Sequence, residues 1–518
     1  LVKGQKEIPG LAADEARERL LAGYSHILVD EYQDIDEAQY ELVSVIAGRT
    51  LAEEEGRLSL TAVGDDDQNI YTFRGANLRF IRKFQEEYRT QAVYLVENYR
   101  STQHIIAAAN ALIGHNRERM KGDHPIRINR RRQSEPAGGR FTHRDPLCQG
   151  RVQVVTVRSP GHQAAFVKGE VDRLRDLDPK VRWKDFAVLA RTKAPLAAVR
   201  GVLEAAGYPF KRTLERGLPL HRVREIRYTL NWLGEDQRRT CRASELQRDL
   251  DLLRGANRPT IWWRLMGDFF AAYQEESVDS LLPAGWARER LYEFVAEQRR
   301  EKVVGEGIFL GTIHGAKGME FPHVFILDGD WHRPQEQSRW EEDRRVMYVG
   351  MTRAEETLCL LKLPPRANPF LKEICGDCMV PLTVSPVAQH PIATEHTYSL
   401  LGLEEIYLDY GGCFVPNHPI HQHLARLAAG DRVCFRPRGT GIDVCDNQGS
   451  CIARLSEKGV RRWRANLERI VEVRVVALLR RTRDDCHEAY IHRIRTETWE
   501  LPVLEVIHRP GAGVGEMI

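Results

Sequence analysis

The 518-residue sequence predicts an α/β protein built on parallel sheets, with a helical insertion and a small C-terminal β domain. Three observations predict it. First, short apolar runs such as Ile27-Leu28-Val29, the stretch from Leu60 to Val63 and Phe186–Ala190 lead straight into polar loops and alternate with amphipathic stretches. Strands buried on both faces of a parallel sheet read this way. Second, the interval from about 213 to 303 is helical, with Trp232, Trp262 and Trp263 among its apolar positions. Third, beyond a proline-rich stretch at 363–395 the pattern turns β-like.

Taken in order, an amphipathic helix over 11–22 leads into the strand before Asp30, and 36–47 returns as a helix with Leu42, Val43 and Ile46 on one face. Asn77 to Tyr88 is helical by period, Gln91 to Val96 is a strand, and 101–114 is a helix. Arg127 to Gly139 reads as a basic surface loop. Val152 to Val157 is a strand, 163–177 a helix, Phe186 to Ala190 a buried strand and 194–206 a helix. Phe309–Thr312, Val324–Leu327 and Thr357–Leu361 are core strands, with a helix over 342–350. The six prolines between 364 and 391 mark a linker. Beyond it, Ile406–Tyr410, Arg432–Arg436, Ile442–Cys445, Cys451–Leu455, Val471–Leu479 and Ala489–Arg495 are strand candidates, with a hairpin turn at Asp446–Gly449 and one helix near 459–468.

Composition sets bounds. A chain of 59.4 kDa holds three or more domains. The net charge of +3 does not announce a nucleic-acid partner, although a lined groove needs no large net charge. No apolar run approaches the ~18 residues of a membrane span. Ten cysteines without framework spacing suit reduced thiols in a cytosolic protein. Cys375-Gly-Asp-Cys378 has no second pair at zinc-ribbon spacing and reads as incidental.

The chemistry concentrates in five blocks. Residues 27–34, Ile-Leu-Val-Asp-Glu-Tyr-Gln-Asp, place Asp30 and Glu31 at the carboxyl end of a strand, where open α/β sheets hold ligands. Paired carboxylates there suit holding Mg²⁺ on a nucleotide and polarising a water. The bland alternative is a strand ending in a solvated acidic turn. Residues 64–76 follow a second strand with Gly-Asp-Asp-Asp-Gln-Asn-Ile-Tyr-Thr-Phe-Arg-Gly-Ala. The others are Glu-Asn-Tyr-Arg-Ser-Thr at 97–102, Gly-Thr-Ile-His-Gly-Ala-Lys-Gly-Met-Glu-Phe at 311–321, and the stretch from Glu342 to Ala354 ending in Gly-Met-Thr-Arg-Ala.

In this order the blocks resemble motifs II to VI of UvrD/Rep-like superfamily 1 DNA helicases, over roughly residues 20–365. The resemblance implies RecA-like parallel sheets of the P-loop NTPase type. The implied division is 1–97 for the remainder of a first lobe, 98–212 and 306–363 for a second lobe, 213–305 for the helical accessory subdomain, 364–397 for a linker and 398–518 for a small β-barrel, which faintly resembles a HIRAN domain. No Gly-x-x-x-x-Gly-Lys-[Ser/Thr] occurs in the chain. The expectation is therefore a first lobe truncated upstream of the Asp-Glu motif, a P-loop on an upstream segment of the same polypeptide, and little ATP hydrolysis by this chain alone.

The resemblance also implies roles. Asp30 is the expected Mg²⁺ ligand and Glu31 the base for the attacking water. Gln68 senses the γ-phosphate, Tyr99 stacks on adenine, Glu320 takes the ribose hydroxyl, and Arg100 and Arg353 are arginine fingers. Tyr71, Phe73, Arg74, Thr312 and His314 face DNA, with Lys317 positioning their loop; stacking on Tyr71 and Phe73 is worth ~1–3 kcal/mol per base. The cofactors are ATP and Mg²⁺, and the partners single-stranded DNA and duplex–single-strand junctions in the bacterial cytoplasm or nucleoid. The implied activity is 3′ to 5′ translocation or unwinding. Two rivals stay open: a non-enzymatic single-stranded-DNA-binding module, and a subunit of a helicase–nuclease complex.

Overall fold

A computed structural model describes residues 23–48, 57–72, 75–88, 90–213, 218–255, 258–301, 303–331, 337–365, 367–384 and 396–509. The helix expected over 11–22, and Phe73 and Arg74, lie outside the described residues.

The first motif-bearing strand, His26–Val29, pairs in parallel with Ser59–Ala62. Two helices flank this pair. Glu37–Ile46 starts at Asp36, whose side chain accepts from the Gln39 amide while Gln39 reaches back, a reciprocal cap. Arg79–Tyr88 inserts Phe80 and Phe84 against Tyr32 and Tyr40. Burial on both faces is not seen: Leu28 is 77% exposed and Val63 53%. Among the described residues each strand has only one neighbour, which leaves its other edge unpaired, and alternate residues along both strands are exposed, so one face of the pair stays open. The strand expected over 91–96 has no regular secondary structure, and only Glu97–Asn98 pairs, with Arg127–Ile128.

The second body is an eight-stranded sheet in the order 303–304, 210–213, 308–312, 186–190, 321–326, 354–362, 152–156, 379–383. Every pairing is parallel except that between the first two. Its central strands are buried on both faces, which is why they read as continuous apolar runs. Helices cover both sides; Pro160–Leu177 begins at Ser159, whose hydroxyl accepts from His162 N, with Pro160 in the first turn, where a missing N–H costs nothing. Met379–Thr383 falls inside the stretch expected to be linker. It is instead the edge strand, paired with Val152–Thr156, a place in a sheet that tolerates Pro381.

The helical insertion consists mainly of Arg224–Glu235, Ala243–Arg254, Ile261–Glu276 and Ala284–Glu301. It shares a hydrophobic core with the C-terminal domain: Trp262, Met266 and Phe270 join Val476, Leu478 and Leu504. Trp262 also donates its indole N–H to Val476 O at 2.8 Å. The C-terminal sheet has six antiparallel strands in the order 397–400, 498–508, 470–482, 432–438, 441–445, 451–454. Its pairing runs from end to end without joining the two outer strands, so the closed barrel is not seen among the described residues. Thr397–Leu400 and the 11-residue strand Thr498–His508 have no counterpart among the strand candidates. Ala489–Arg495 is largely a 3-10 helix instead, and Ile406 keeps only an isolated bridge to Leu455.

Candidate functional site

The site lies where the first strand pair meets the eight-stranded body. Asp30 is exposed at the end of its strand, and one of its oxygens accepts from the Glu31 amide at 2.8 Å. Glu31 adopts φ 52°, ψ 39°, the left-handed region that costs a non-glycine residue about 1–3 kcal/mol. That turn aims its carboxylate at Gln33 Nε2 and at Lys317 Nζ, 3.4 Å away. Gln33, fully buried, joins the two motif loops: its Oε1 accepts from Asp65 N and its backbone carbonyl from Asn69 Nδ2. Position 64 is glycine because a Cβ there would meet Gln33 Oε1 at 2.6 Å.

The turn Asp66–Gln68 is held by its own acids. Asp65 accepts from Asp67 N and from Gln68 Nε2 at 2.8 Å, which leaves Gln68 Oε1 to accept from Arg353 at 3.2 Å. Asp67 is fully buried and takes both prongs of Arg119 at 2.7 and 2.8 Å. Lys121 reaches Asp65 at 2.5 Å, and Met120 N donates to Asp66. Asp65, Asp66 and Asp67 thus cluster closely enough to hold a cation, but each is occupied by these donors. Arg119 and Lys121 follow the helix Gln103–Ile113 and belong to the other side of the junction.

From the eight-stranded body come Arg353, Arg100, Glu320 and the loop after Ile308–Thr312. Arg353 is 3% exposed, yet among the described residues its partners are all neutral: the carbonyls of Val349 and Met319, the Thr352 hydroxyl and the Gln68 amide. Burial first, and Arg100 second, lower its pKa to about 10. Arg100 pairs with Glu320 at 2.5 Å and donates to Thr352 O. Tyr99 is 70% exposed, its ring open to solvent.

The expected DNA-facing residues pack on one another. Tyr71 donates its hydroxyl to His314 O at 3.2 Å, and His314 Nε2 approaches Ile70 O at 3.2 Å, so that nitrogen carries the proton. Burial, with Arg191 and Lys317 nearby, lowers the His314 pKa to about 4. Thr312 Oγ1 accepts from Gly315 N. Lys317 is the hub: Nζ contacts Asp34 at 2.5 Å and Gln68 O at 3.0 Å, and lies 5.3 Å from the Tyr71 ring centroid. Burial raises the Asp34 pKa, with Lys317 opposing it.

The structure therefore brings Glu31, Gln68, Arg100, Arg353 and Glu320 around one junction, with Tyr71, Thr312 and His314 beside it. Sequence reasoning passed over Arg119, Lys121 and Asp34. Asp34 was legible as the last acid of its octet; the two cations carried no signal outside a basic stretch.

Family models match the chain twice: the UvrD/REP helicase N-terminal domain over residues 7–89 and the UvrD-like helicase C-terminal domain over 289–363. Both matches fall on motif-bearing stretches, and there the chain is similar to UvrD/Rep-like helicases. It is 35% identical over 212 residues to ATP-dependent DNA helicase UvrD1 of Mycobacterium tuberculosis, covering 40% of this chain and 25% of that protein. It is 26% identical over 443 residues to ATP-dependent DNA helicase PcrA of Leuconostoc citreum, covering 67% and 55%. DNA helicase II of Haemophilus influenzae is 25% identical, covering 65% and 55%. The chain thus spans from a quarter to a little over half the length of these UvrD/Rep-like relatives.

Proposed function

We propose that this chain is the lobe-closing, DNA-facing part of an ATP-dependent DNA helicase or translocase that moves 3′ to 5′ on single-stranded DNA. The observation that carries the reading is Arg353. A buried guanidinium without a carboxylate, beside a second arginine, is a poor structural element and a good receptor for an anion. A γ-phosphate between the lobes is such an anion, and Gln68, already bonded to Arg353, sits where an amide would report its presence. Asp30, exposed and with one oxygen unused, fits a Mg²⁺ ligand; Glu31 fits the base. When bound, MgATP supplies the phosphoanhydride whose cleavage drives the cycle. The chain's own residues hold the charge, orient a water and exclude solvent as the lobes meet.

An ATP site also needs a phosphate cradle, and the sequence holds no Gly-x-x-x-x-Gly-Lys-[Ser/Thr]. The proposal therefore includes a P-loop on the same polypeptide. DNA and ATP are coupled through Lys317, which touches the acid motif, the Gln68 carbonyl and the Tyr71 ring at once.

The test is single-stranded-DNA-stimulated ATP hydrolysis by the P-loop-carrying polypeptide, with Arg353→Ala beside wild type. An arginine finger is worth about 10³–10⁵ in kcat, so the variant should fall at least ~10³-fold while keeping its affinity for single-stranded DNA. Hydrolysis at the wild-type rate would sink the reading. DNA binding indifferent to nucleotide, with no hydrolysis by wild type, would favour a plain single-strand-binding module.

A further inference from the structure

Two clefts lie along the seam between the second lobe and the body formed by the helical insertion and the C-terminal domain, and a third adjoins them between the insertion and the C-terminal domain. The first, of about 390 Å³, is lined by Thr312 at its lobe side and by Arg200, Tyr398 and Glu505. The second, about 280 Å³, shares Arg200, Val476 and Glu505 with the first and adds Arg474 and Gly430. The third, about 500 Å³, shares Gly430 with the second and is lined by Arg258, His423, Arg426 and Arg432 together with Asp431 and Asp446.

The acids of the third cleft are already occupied. Asp446 is buried, and its oxygens meet His423 Nδ1 at 2.8 Å and the backbone amides of Gln448 and Ser450. Asp431 takes both prongs of Arg258 and the Ala428 amide. The cations are matched unevenly: Arg258 is held by Asp431, while Arg426 and Arg432 turn more of their guanidinium groups to solvent. Arg426 is exposed and has no acidic partner among the described residues. Arg432 meets Glu472 at 3.0 Å but is 77% exposed, and Arg258 is 61% exposed. The side-chain amides of Asn447 and Gln448, on the hairpin tip, add donors at the rim. The cleft is thus polar and open, with one more arginine than acids in its lining, and the clefts leading to it begin at Thr312.

We propose that the cleft of Arg258, Arg426 and Arg432 binds the phosphodiester backbone of a nucleic-acid strand that has passed Thr312. The insertion and C-terminal domain would then extend the strand's path beyond the second lobe. The inference rests on the reading above only for where the strand comes from; the cleft's affinity for phosphodiester stands or falls by itself. Guanidinium groups suit this ligand because their forked donors match phosphate oxygens without reading sequence.

The test uses the full chain and labelled oligothymidylates of about 8 and about 24 nucleotides, lengths that bracket a single binding groove. Wild type should bind the longer strand more tightly. The double variant Arg426→Ala, Arg432→Ala, at two exposed positions, should lose about tenfold for the long strand and little for the short one. Its log K against log[salt] slope should shrink by about 1.4, two contacts at ~0.7 each. Unchanged long-strand affinity and slope would overturn the proposal, as would a chain that binds neither strand. Inorganic pyrophosphate displacing both strands equally would overturn it too, by marking a free-phosphate site. Tyr71→Ala separates the two ideas: if it leaves short-strand binding intact, the motif-based DNA path fails while the cleft result still stands.

Discussion

The pair Arg119–Asp67 offers the sharpest test of how the two bodies are held. Asp67 is fully buried, the Arg119 side chain is 9% exposed, and the contact is bidentate. Removing one member of such a pair leaves an uncompensated buried charge and typically costs about 3–5 kcal/mol. Lys121 Nζ, 3.6 Å from Asp67, remains to soften the loss, so Arg119→Ala should destabilise the Asp65–Tyr71 segment by about 3 kcal/mol. That is roughly a hundredfold faster amide exchange there, at 1.4 kcal/mol per factor of ten. Hydrogen exchange read by mass spectrometry is the right assay because it resolves local opening, whereas a multi-domain melt is not a single transition. Strands 152–156, 186–190 and 321–326 serve as internal controls, being buried in the other body. In a double-mutant cycle Asp67→Ala and Arg119→Ala should couple by about 2–3 kcal/mol. Lysine at 119 should restore only part, since it lacks the fork. Unchanged exchange at 65–71 in Arg119→Ala, or strict additivity in the cycle, would refute the idea that these cations position the Gln68 turn.

Two further outcomes follow from burial. His314 is neutral when folded, with a pKa near 4 against 6.5 unfolded, so the unfolded chain binds the extra proton between those values. Stability contributed there is full above about pH 6.5 and is lost as pH falls toward 4, up to about 3 kcal/mol. His314→Asn should flatten that part of the pH–stability curve, leaving a remainder from His323, whose pKa burial lowers to about 3; an unaltered curve would contradict the assignment. Separately, deleting residues 397–518 should expose the insertion's share of the common core, including Trp262 and Phe270. The truncated chain should bind a hydrophobic dye and aggregate, and a well-folded soluble product would disprove the shared core.

How much was legible in the sequence depended on the range of the interaction. The strands of the second lobe were readable because a strand covered on both faces must be apolar throughout, and Phe186–Ala190 was placed to the residue. The helix expected over 36–47 is Glu37–Ile46, and the structure adds the reason for its start, the reciprocal cap at Asp36. The strand Thr498–His508 escaped because its apolar run carries Pro502, and its partner, Ile470–Thr482, lies some way back along the chain. Pro381 hid an edge strand behind what looked like linker composition.

The sequence by itself singled out the candidate groups: two acids after a strand, a glutamine after a glycine turn, and arginines in later blocks, because each motif is local in the chain. Only the tertiary structure decided what those groups meet. That Arg353 lies buried with no carboxylate partner among the described residues, that Arg119 and Lys121 grip an acidic turn about fifty residues away in the chain, and that a helical insertion shares its core with the C-terminal sheet are all long-range facts. Pairing across such distances leaves no periodicity in the chain, since the entropy of closing a long loop grows only slowly with its length and so does not constrain where the partner sits.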